Sequence, residues 1–341
     1  MEQLRPQGGG VDVEVTKATK ELPRCRAVAC QPISGLLGTE VSREGAPHSL
    51  HADVLVVGYG KGGKTVAAKV GRLGKRVVLV EQSDRMYGGT CPNVGCVPTK
   101  ALVHHAMNRR PKDPAQEWYE RSVTKVQAVT KMMRDGNYEG LNGMETVTVI
   151  TGPAVFVAPH TVAVKAGGEH FTVTADTILI NTGSEPAIPD IPGLRDSPYT
   201  VTSTELVETT VLPERLTIIG GGYLGLEFAA IYQRFGSQVT VLEAAPRIFS
   251  SLDDDIAAVA QGILTDEGID IVTGAQVRQV RDGDGGASVV FDKAGHQHSV
   301  EADAVHAATG RAPATRDLAL EAAGVRTRRV LSVRGSWPGR F

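Results

Sequence analysis

Ala52-Asp53-Val54-Leu55-Val56-Val57-Gly58-Tyr59-Gly60-Lys61-Gly62-Gly63 is the stretch that decides the fold. Ala52 to Val57 is a short apolar run rich in β-branched side chains that stops at a glycine, as a strand buried on both faces does. Gly58, Gly60 and Gly63 follow in G-x-G-x-x-G spacing. Lys64 to Leu73 then carries small and apolar residues at helical spacing, Gly74 ends it, and Arg76 to Glu81 reads as a second buried strand. This order predicts a βαβ unit that binds a dinucleotide. The first glycine permits a tight turn, the second lets backbone approach a pyrophosphate, and the third lets helix and strand pack closely. The helix N-terminus faces the phosphate charge, and Glu81, 23 positions after Gly58, can accept hydrogen bonds from ribose hydroxyls.

The pattern returns at Leu216 to Ile219 as strand, Gly220, Gly222 and Gly225 as turn, Leu226 to Phe235 as helix and Gln238 to Glu243 as strand. Glu243 again stands 23 positions after the first glycine. A carboxylate there bonds a free ribose 2′-hydroxyl and repels a 2′-phosphate, which predicts NADH over NADPH, a preference that nearby Arg247 weakens. Between the units, Pro114 to Met133 reads as a long helix, and residues 146–180 as a small antiparallel meander with turns at Gly152, Pro159 and Gly167-Gly168.

The 36 basic and 38 acidic side chains among 341 residues give a net charge of −2, no footprint for nucleic acid or an anionic membrane. No run approaches the ~20 apolar residues of a spanning helix, so the chain reads as cytoplasmic. Residues 1–50 mix polar and small residues with six acids and six bases and no sustained period, and read as a disordered leader. Four cysteines fall into two pairs of equal spacing, Cys25/Cys30 in that leader and Cys91/Cys96. The first pair reads as incidental, and no metal-ligand set is expected.

Gly88-Gly89-Thr90-Cys91-Pro92-Asn93-Val94-Gly95-Cys96-Val97-Pro98-Thr99-Lys100 is the most specific stretch. A loop running into the first turn of a helix can bring two cysteines within bonding distance, and a thiolate near a helix N-terminus is expected to have a lowered pKa. The stretch resembles the active-site segment of the flavoprotein disulfide reductases, the class I pyridine nucleotide-disulfide oxidoreductases. In these enzymes redox cysteines five apart stand in a G-G-T-C-x-N-x-G-C-x-P-[ST]-K frame. Glu81 to Tyr87, Ala101-Leu102-Val103-His104, Ile180-Asn181-Thr182-Gly183 and Gly310 to Thr315 make the chain most similar to the reactive-chlorine-resistance flavoproteins within that family. The resemblance covers about residues 52–325.

The resemblance implies an α/β fold with two Rossmann-like domains, FAD on the first fingerprint and NADH, or alternatively NADPH, on the second. Gly58, Gly60, Gly63, Glu81, Gly89, Thr90, Lys100, Ala154, Thr182, Gly183 and Gly310 would serve FAD; Gly220, Gly222, Tyr223, Gly225 and Glu243 would serve the nicotinamide nucleotide. Cys96 would be the thiol against the flavin and Cys91 the interchange thiol facing substrate. Lys100 would lie near flavin N5 and pair with Glu227, and Tyr223 would be the ring that moves aside for nicotinamide. Thr182-Gly183 and Thr309-Gly310-Arg311 match the two segments that cross between the nucleotide domains; His104 and His105 read as solvated or packed imidazoles. The implied activity passes electrons through the Cys91–Cys96 disulfide to an oxidised sulfur compound or a metal ion, in oxidant defence. Dihydrolipoyl dehydrogenase and mercuric reductase chemistry are the alternatives within the family.

The expected domains are an FAD-binding part over 51–185, an NAD(P)-binding domain over 186–304, a return segment over 305–325 and an atypical basic tail over 326–341. Residues 325–341 hold five arginines and no acid, and the family's Gly-Asp strand and C-terminal dimerisation domain are not recognisable. A frameshift or premature stop near residue 326 is the expectation, and with it loss of the family's homodimer interface. A truncated, non-catalytic nucleotide-binding fragment is the rival reading of a different class.

Overall fold

The computed structural model describes residues 48–327. Residues 1–47, with Cys25 and Cys30, and residues 328–341, most of the basic tail, lie outside the described residues, as do the readings placed on them.

In the first unit β1 (His48–Val57) leads through the glycine turn into α1 (Lys61–Arg72) and β2 (Val77–Glu81). The short α2 (Thr90–Asn93), α3 (Cys96–Met107) and the long α4 (Ala115–Asn142) follow, then β3 (Val147–Thr151), β4 (Ala154–Ala158), β5 (Thr161–Ala166) and β6 (Glu169–Ile180). The sheet order is β3-β2-β1-β6-β5-β4. Leu55, Val56, Leu79 and Val80 are buried, as expected of strands covered on both faces.

β1 starts at His48, inside the segment read as leader, because His48 to His51 pair with Phe171 to Thr174 of β6. The meander is also smaller than expected. β3 runs parallel to β2, with Val77 opposite Val147, and only β4, β5 and β6 form antiparallel pairs.

β7 (Ser184–Pro186), β8 (Thr200–Val201) and α5 (Ser203–Glu208) lead to the second unit, β9 (Arg215–Ile219), α6 (Tyr223–Phe235) and β10 (Gln238–Glu243). Then come α7 (Asp254–Asp266), β11 (Asp270–Thr273), the antiparallel strands β12 (Gln276–Gly283), β13 (Gly286–Lys293) and β14 (His296–Ala302), then β15 (Ala304–Ala307) and β16 (Arg311–Pro313). The second sheet is parallel, in the order β11-β10-β9-β15-β8. β15 is therefore interior to it, which corrects a return segment beginning at residue 305. Chain returns to the first unit after β15, where Leu318 and Leu320 join the core under β4.

One apolar core joins the two units. Leu102 of α3 and Tyr119 and Val123 of α4 pack with Phe228, Tyr232 and Phe235 of α6. Inside it the Tyr119 and Tyr232 hydroxyls meet at 2.6 Å, and Tyr232 donates to the Leu206 carbonyl at 2.8 Å. Among the described residues no helix is long and apolar enough to cross a membrane.

Candidate active site

At the first turn Gly58 adopts φ +104°, and a Cβ there would stand 2.4 Å from the Asn181 carbonyl oxygen. A Cβ on Gly63 would stand 2.4 Å from the Gly58 oxygen, which is the close helix–strand packing the third glycine permits. α1 starts after Gly60 with no side-chain cap, leaving first-turn N–H groups for an anionic ligand. Glu81 is buried and turns its carboxylate to the backbone, accepting from Tyr59 N–H at 2.8 Å and Ser83 N–H at 3.4 Å. Burial pushes its carboxyl up, opposed by the N–H groups of Tyr59, Ser83 and Gln82. Its first task is to hold the turn, with further lone pairs left for a ribose. Ala154 opens β4 two residues after Gly152, whose N–H donates to the Glu81 carbonyl at 2.8 Å.

The second turn repeats this construction. A Cβ on Gly225 would stand 2.2 Å from the Gly220 oxygen, whereas a Cβ on Gly222 would meet only open space. α6 starts after Gly222 with no side-chain cap. Glu243 accepts from Gly221 N–H at 2.5 Å and Ala245 N–H at 2.7 Å. A cleft of about 490 Å³ lies here, with Gly220, Gly222, Glu243, Thr309 and Gly310 in its lining. Arg247 is committed to its own loop, paired with Asp254 at 3.1 Å and donating to the Leu252 carbonyl at 2.7 Å.

The cysteine loop lies over the first turn. Gly88 and Gly89 take φ +94° and +78°, and a Cβ on Gly89 would stand 2.6 Å from Gly60 Cα, so only glycine permits the approach. Buried Asn93 donates to the Gly89 and Tyr87 carbonyls at 2.8 and 3.0 Å and closes the loop on itself. Thr90 is the first residue of α2, Cys91 the second, and Cys96 the first residue of α3. Both cysteines are exposed free thiols. Partial desolvation pushes the Cys91 thiol up, and its hydrogen bond to Cys96 and the charge of that neighbour push the same way, while Lys64 and Lys61 pull it down. The expectation of a thiol lowered by its helix terminus is overturned for Cys91. Loss of solvation and the neighbouring sulfur are the causes of the rise.

Lys100 forms an ion pair with Glu227 of α6. Tyr223, the first residue of α6, is exposed, with its ring 5.0 Å from that of Phe249. Thr182 and Gly183 lead into β7, and Thr309 and Gly310 into β16; the two strands pair antiparallel, so the crossings between the units are hydrogen-bonded to each other. The Ala187 N–H donates to Gly310 O at 3.0 Å, and the Ala314 N–H to Gly183 O at 3.1 Å. His104 and His105 stand edge to face, with ring centroids 5.7 Å apart, and burial lowers the His105 pKa. Sequence reasoning assigned no task to Asn181. Its side chain lies beneath the first turn, donating to Gly58 O at 3.1 Å, with Gly60, Gly62 and Gly63 around it. An amide ending an apolar strand, where the second unit has Ala308, was the available signal.

A family model for pyridine nucleotide-disulphide oxidoreductases matches residues 52–334. The "Probable pyridine nucleotide-disulfide oxidoreductase RclA" of Escherichia coli (strain K12) is 38% identical over 271 residues, covering 80% of this chain and 59% of the relative. The dihydrolipoyl dehydrogenase of Geobacillus stearothermophilus is 33% identical over 288 residues, covering 82% of this chain and 60% of the relative. The solved Cu(II) complex of the HOCl-induced flavoprotein disulfide reductase RclA from Escherichia coli superposes with a TM-score of 0.76 at 36% identity, covering 82% of this chain and 61% of that one. The chain thus spans about 60% of the length of the relatives it matches. With two glycine turns, two clasping glutamates and a cysteine pair laid over the first turn, this chain belongs to the pyridine nucleotide-disulphide oxidoreductase family.

Proposed function

We propose that the chain carries the nucleotide-binding and dithiol parts of an FAD-dependent NAD(P)H oxidoreductase that passes electrons through Cys91 and Cys96 to an oxidised sulfur compound or a metal ion. Members of the family are FAD-dependent and use NAD(P)H. The uncapped start of α1 and the glycine-only approach of Gly89 to Gly60 fit the pyrophosphate of FAD; the uncapped start of α6 and the open side of Gly222 fit that of the nicotinamide nucleotide. Gly58, Gly60, Gly63, Glu81, Gly89, Thr90, Ala154, Thr182, Gly183 and Gly310 would hold FAD. Gly220, Gly222, Gly225, Tyr223 and Glu243 would hold the nicotinamide nucleotide, with NADH preferred because the Glu243 carboxylate faces the cleft. FAD, when bound, supplies a two-electron carrier between nicotinamide and the cysteine pair.

One observation carries this reading: Cys96 opens the same helix whose Lys100 is ion-paired to α6, the helix that begins at the second nucleotide turn. Cys96 is assigned as the thiol that exchanges electrons with the flavin, and Cys91 as the thiol that attacks the acceptor. Lys100, held by Glu227, presents positive charge beside the pair. The acceptor is drawn in class from RclA of Escherichia coli, described as HOCl-induced and solved as a Cu(II) complex. Work in the cytoplasm belongs to the same proposal. The test is the anaerobic visible spectrum of the FAD-reconstituted chain before and after stoichiometric NADH, for wild type and Cys91→Ser. Thiol-dependent turnover should vanish in the variant while flavin reduction persists; loss of flavin reduction would contradict the roles assigned.

A further inference from the structure

Phe249 holds its backbone at φ +47°, and among the described non-glycine residues at positive φ it is the only bulky one, the others being Ala294 and Ala319. A large side chain in that region is strained, and the strain persists only where the surroundings over-determine it. The loop between β10 and α7 does so. The Phe249 N–H donates to the Gly221 carbonyl of the second glycine turn at 3.0 Å, and the Leu252 N–H donates to the Phe249 carbonyl at 2.8 Å. Arg247 gathers the same loop, donating to the carbonyls of Phe249, Ser250 and Leu252 at 3.4, 3.2 and 2.7 Å and pairing with Asp254 at 3.1 Å. Ile248, fully buried, anchors the loop beside Gly221, where a Cβ would stand 3.0 Å from the isoleucine Cγ2. This frame presents a ring to Tyr223: the two ring centroids lie 5.0 Å apart with their planes at 48°. Tyr223 is 62% exposed, and among the described residues Phe249 is its one ring contact.

We infer that Phe249 is a positioning residue for Tyr223: a pinned ring that holds the tyrosine at the start of α6, so that nicotinamide is seated only as the Tyr223–Phe249 pair breaks. This rests on the assignment of Tyr223 as the ring that moves aside for nicotinamide. Phe249 is well placed for the task because its N–H is bonded to the glycine turn one residue before Gly222, so the ring keeps its station relative to the turn that would hold the phosphates. A tilted aromatic pair shifts the balance between held and displaced tyrosine by about 3- to 10-fold. That cost falls on the nicotinamide half of the nucleotide alone, since the ADP half would lie along the turn and Glu243. Phe249 thus sets how readily the site accepts a nicotinamide without changing how it grips the rest of the molecule.

The test is calorimetric titration of the full chain in saturating FAD with NAD+ and with ADP-ribose, which lacks the nicotinamide; the ratio of the two dissociation constants isolates the nicotinamide half. Phe249→Gly removes the ring and suits a positive φ, and Phe249→Leu removes the ring while keeping apolar bulk against the core. Both should tighten NAD+ about 3- to 10-fold relative to ADP-ribose, and Phe249→Tyr should preserve the wild-type ratio. In a Tyr223→Ala background the Phe249 substitutions should have no further effect on the ratio. A ratio unchanged in both Phe249→Gly and Phe249→Leu overturns the inference, as does a change of equal size with Tyr223 absent, which would mean that Phe249 meets nicotinamide directly. If Tyr223→Ala by itself leaves the ratio at the wild-type value, the assignment of Tyr223 fails instead.

Discussion

Lys100 and Glu227 stand 127 positions apart and form an ion pair that ties the helix opening at Cys96 to the helix opening at the second nucleotide turn. Lys100 is 70% exposed and Glu227 24%, so the pair should add no more than about 1 kcal/mol to stability. Glu227→Gln is therefore expected to leave the denaturation midpoint nearly unchanged while slowing NADH-dependent reduction of the cysteine pair at least ~10-fold. Stopped-flow absorbance and urea unfolding of the same preparation separate these effects. Equal losses in both would mean that the pair only staples two helices.

Gly222 and Gly225 make opposite predictions within one turn. A methyl on Gly225 must displace the Gly220 carbonyl, a backbone atom 2.2 Å away, so Gly225→Ala should cost about 1–3 kcal/mol of stability. A methyl on Gly222 enters open space at the start of α6 and should cost under about 1 kcal/mol. It would occupy the approach to the phosphates, however, and calorimetric titration should show NADH affinity falling about 10-fold or more.

Glu243 binds two backbone N–H groups and lines the cleft. Glu243→Gln keeps an acceptor for the turn and removes the charge that repels a 2′-phosphate. The ratio of NADPH to NADH dissociation constants should fall about 10-fold, and an unchanged ratio would remove Glu243 from cofactor selection.

His306, in the interior strand β15, is fully buried with its ring edge 5.1 Å from Phe228. Its Nδ1–H donates to the Val201 carbonyl at 3.2 Å, and Nε2 has no hydrogen-bond partner among the described residues. Burial lowers its pKa from 6.5 to about 4, against the Val201 carbonyl and Glu205. Below 6.5 the unfolded chain therefore binds a proton that the folded chain refuses. This contribution to stability is complete above 6.5 and is lost as pH falls towards about 4. At about pH 5 the loss is about 2 kcal/mol. Urea unfolding of His306→Leu should be flatter between about pH 7 and pH 5 than that of wild type by this amount.

Much of the molecule was legible in the chain itself. Strand endings at glycines, the two fingerprints and the acids 23 positions on are local patterns, and β10 spans the same Gln238 to Glu243 that alternation and composition mark out. Helix starts were less legible. α1 begins at Lys61 rather than Lys64, and α6 at Tyr223 rather than Leu226, because residues just after a turn glycine already have helical backbone while their side chains look like turn chemistry.

What only the tertiary structure decided is pairing and environment. Residues of β3 alternate as well for an antiparallel meander as for the parallel edge they form beside β2, since alternation records which face a side chain takes and not the direction of the neighbouring strand. β15 reads as the start of a return segment until its contacts with β9 and β8 place it inside the second sheet, and nothing near Ser184 foretells its pairing with Pro313. The cysteine spacing is local, but the rise of the Cys91 pKa is not: desolvation and the proximity of Cys96 raise it while Lys64 and Lys61 oppose them, a sum over neighbours from separate elements. Sequence thus determined the turns and the acids that clasp them, because a few adjacent backbone angles suffice for those. Which elements face one another, and what charge a buried group can hold, waited on packing that brings distant residues together.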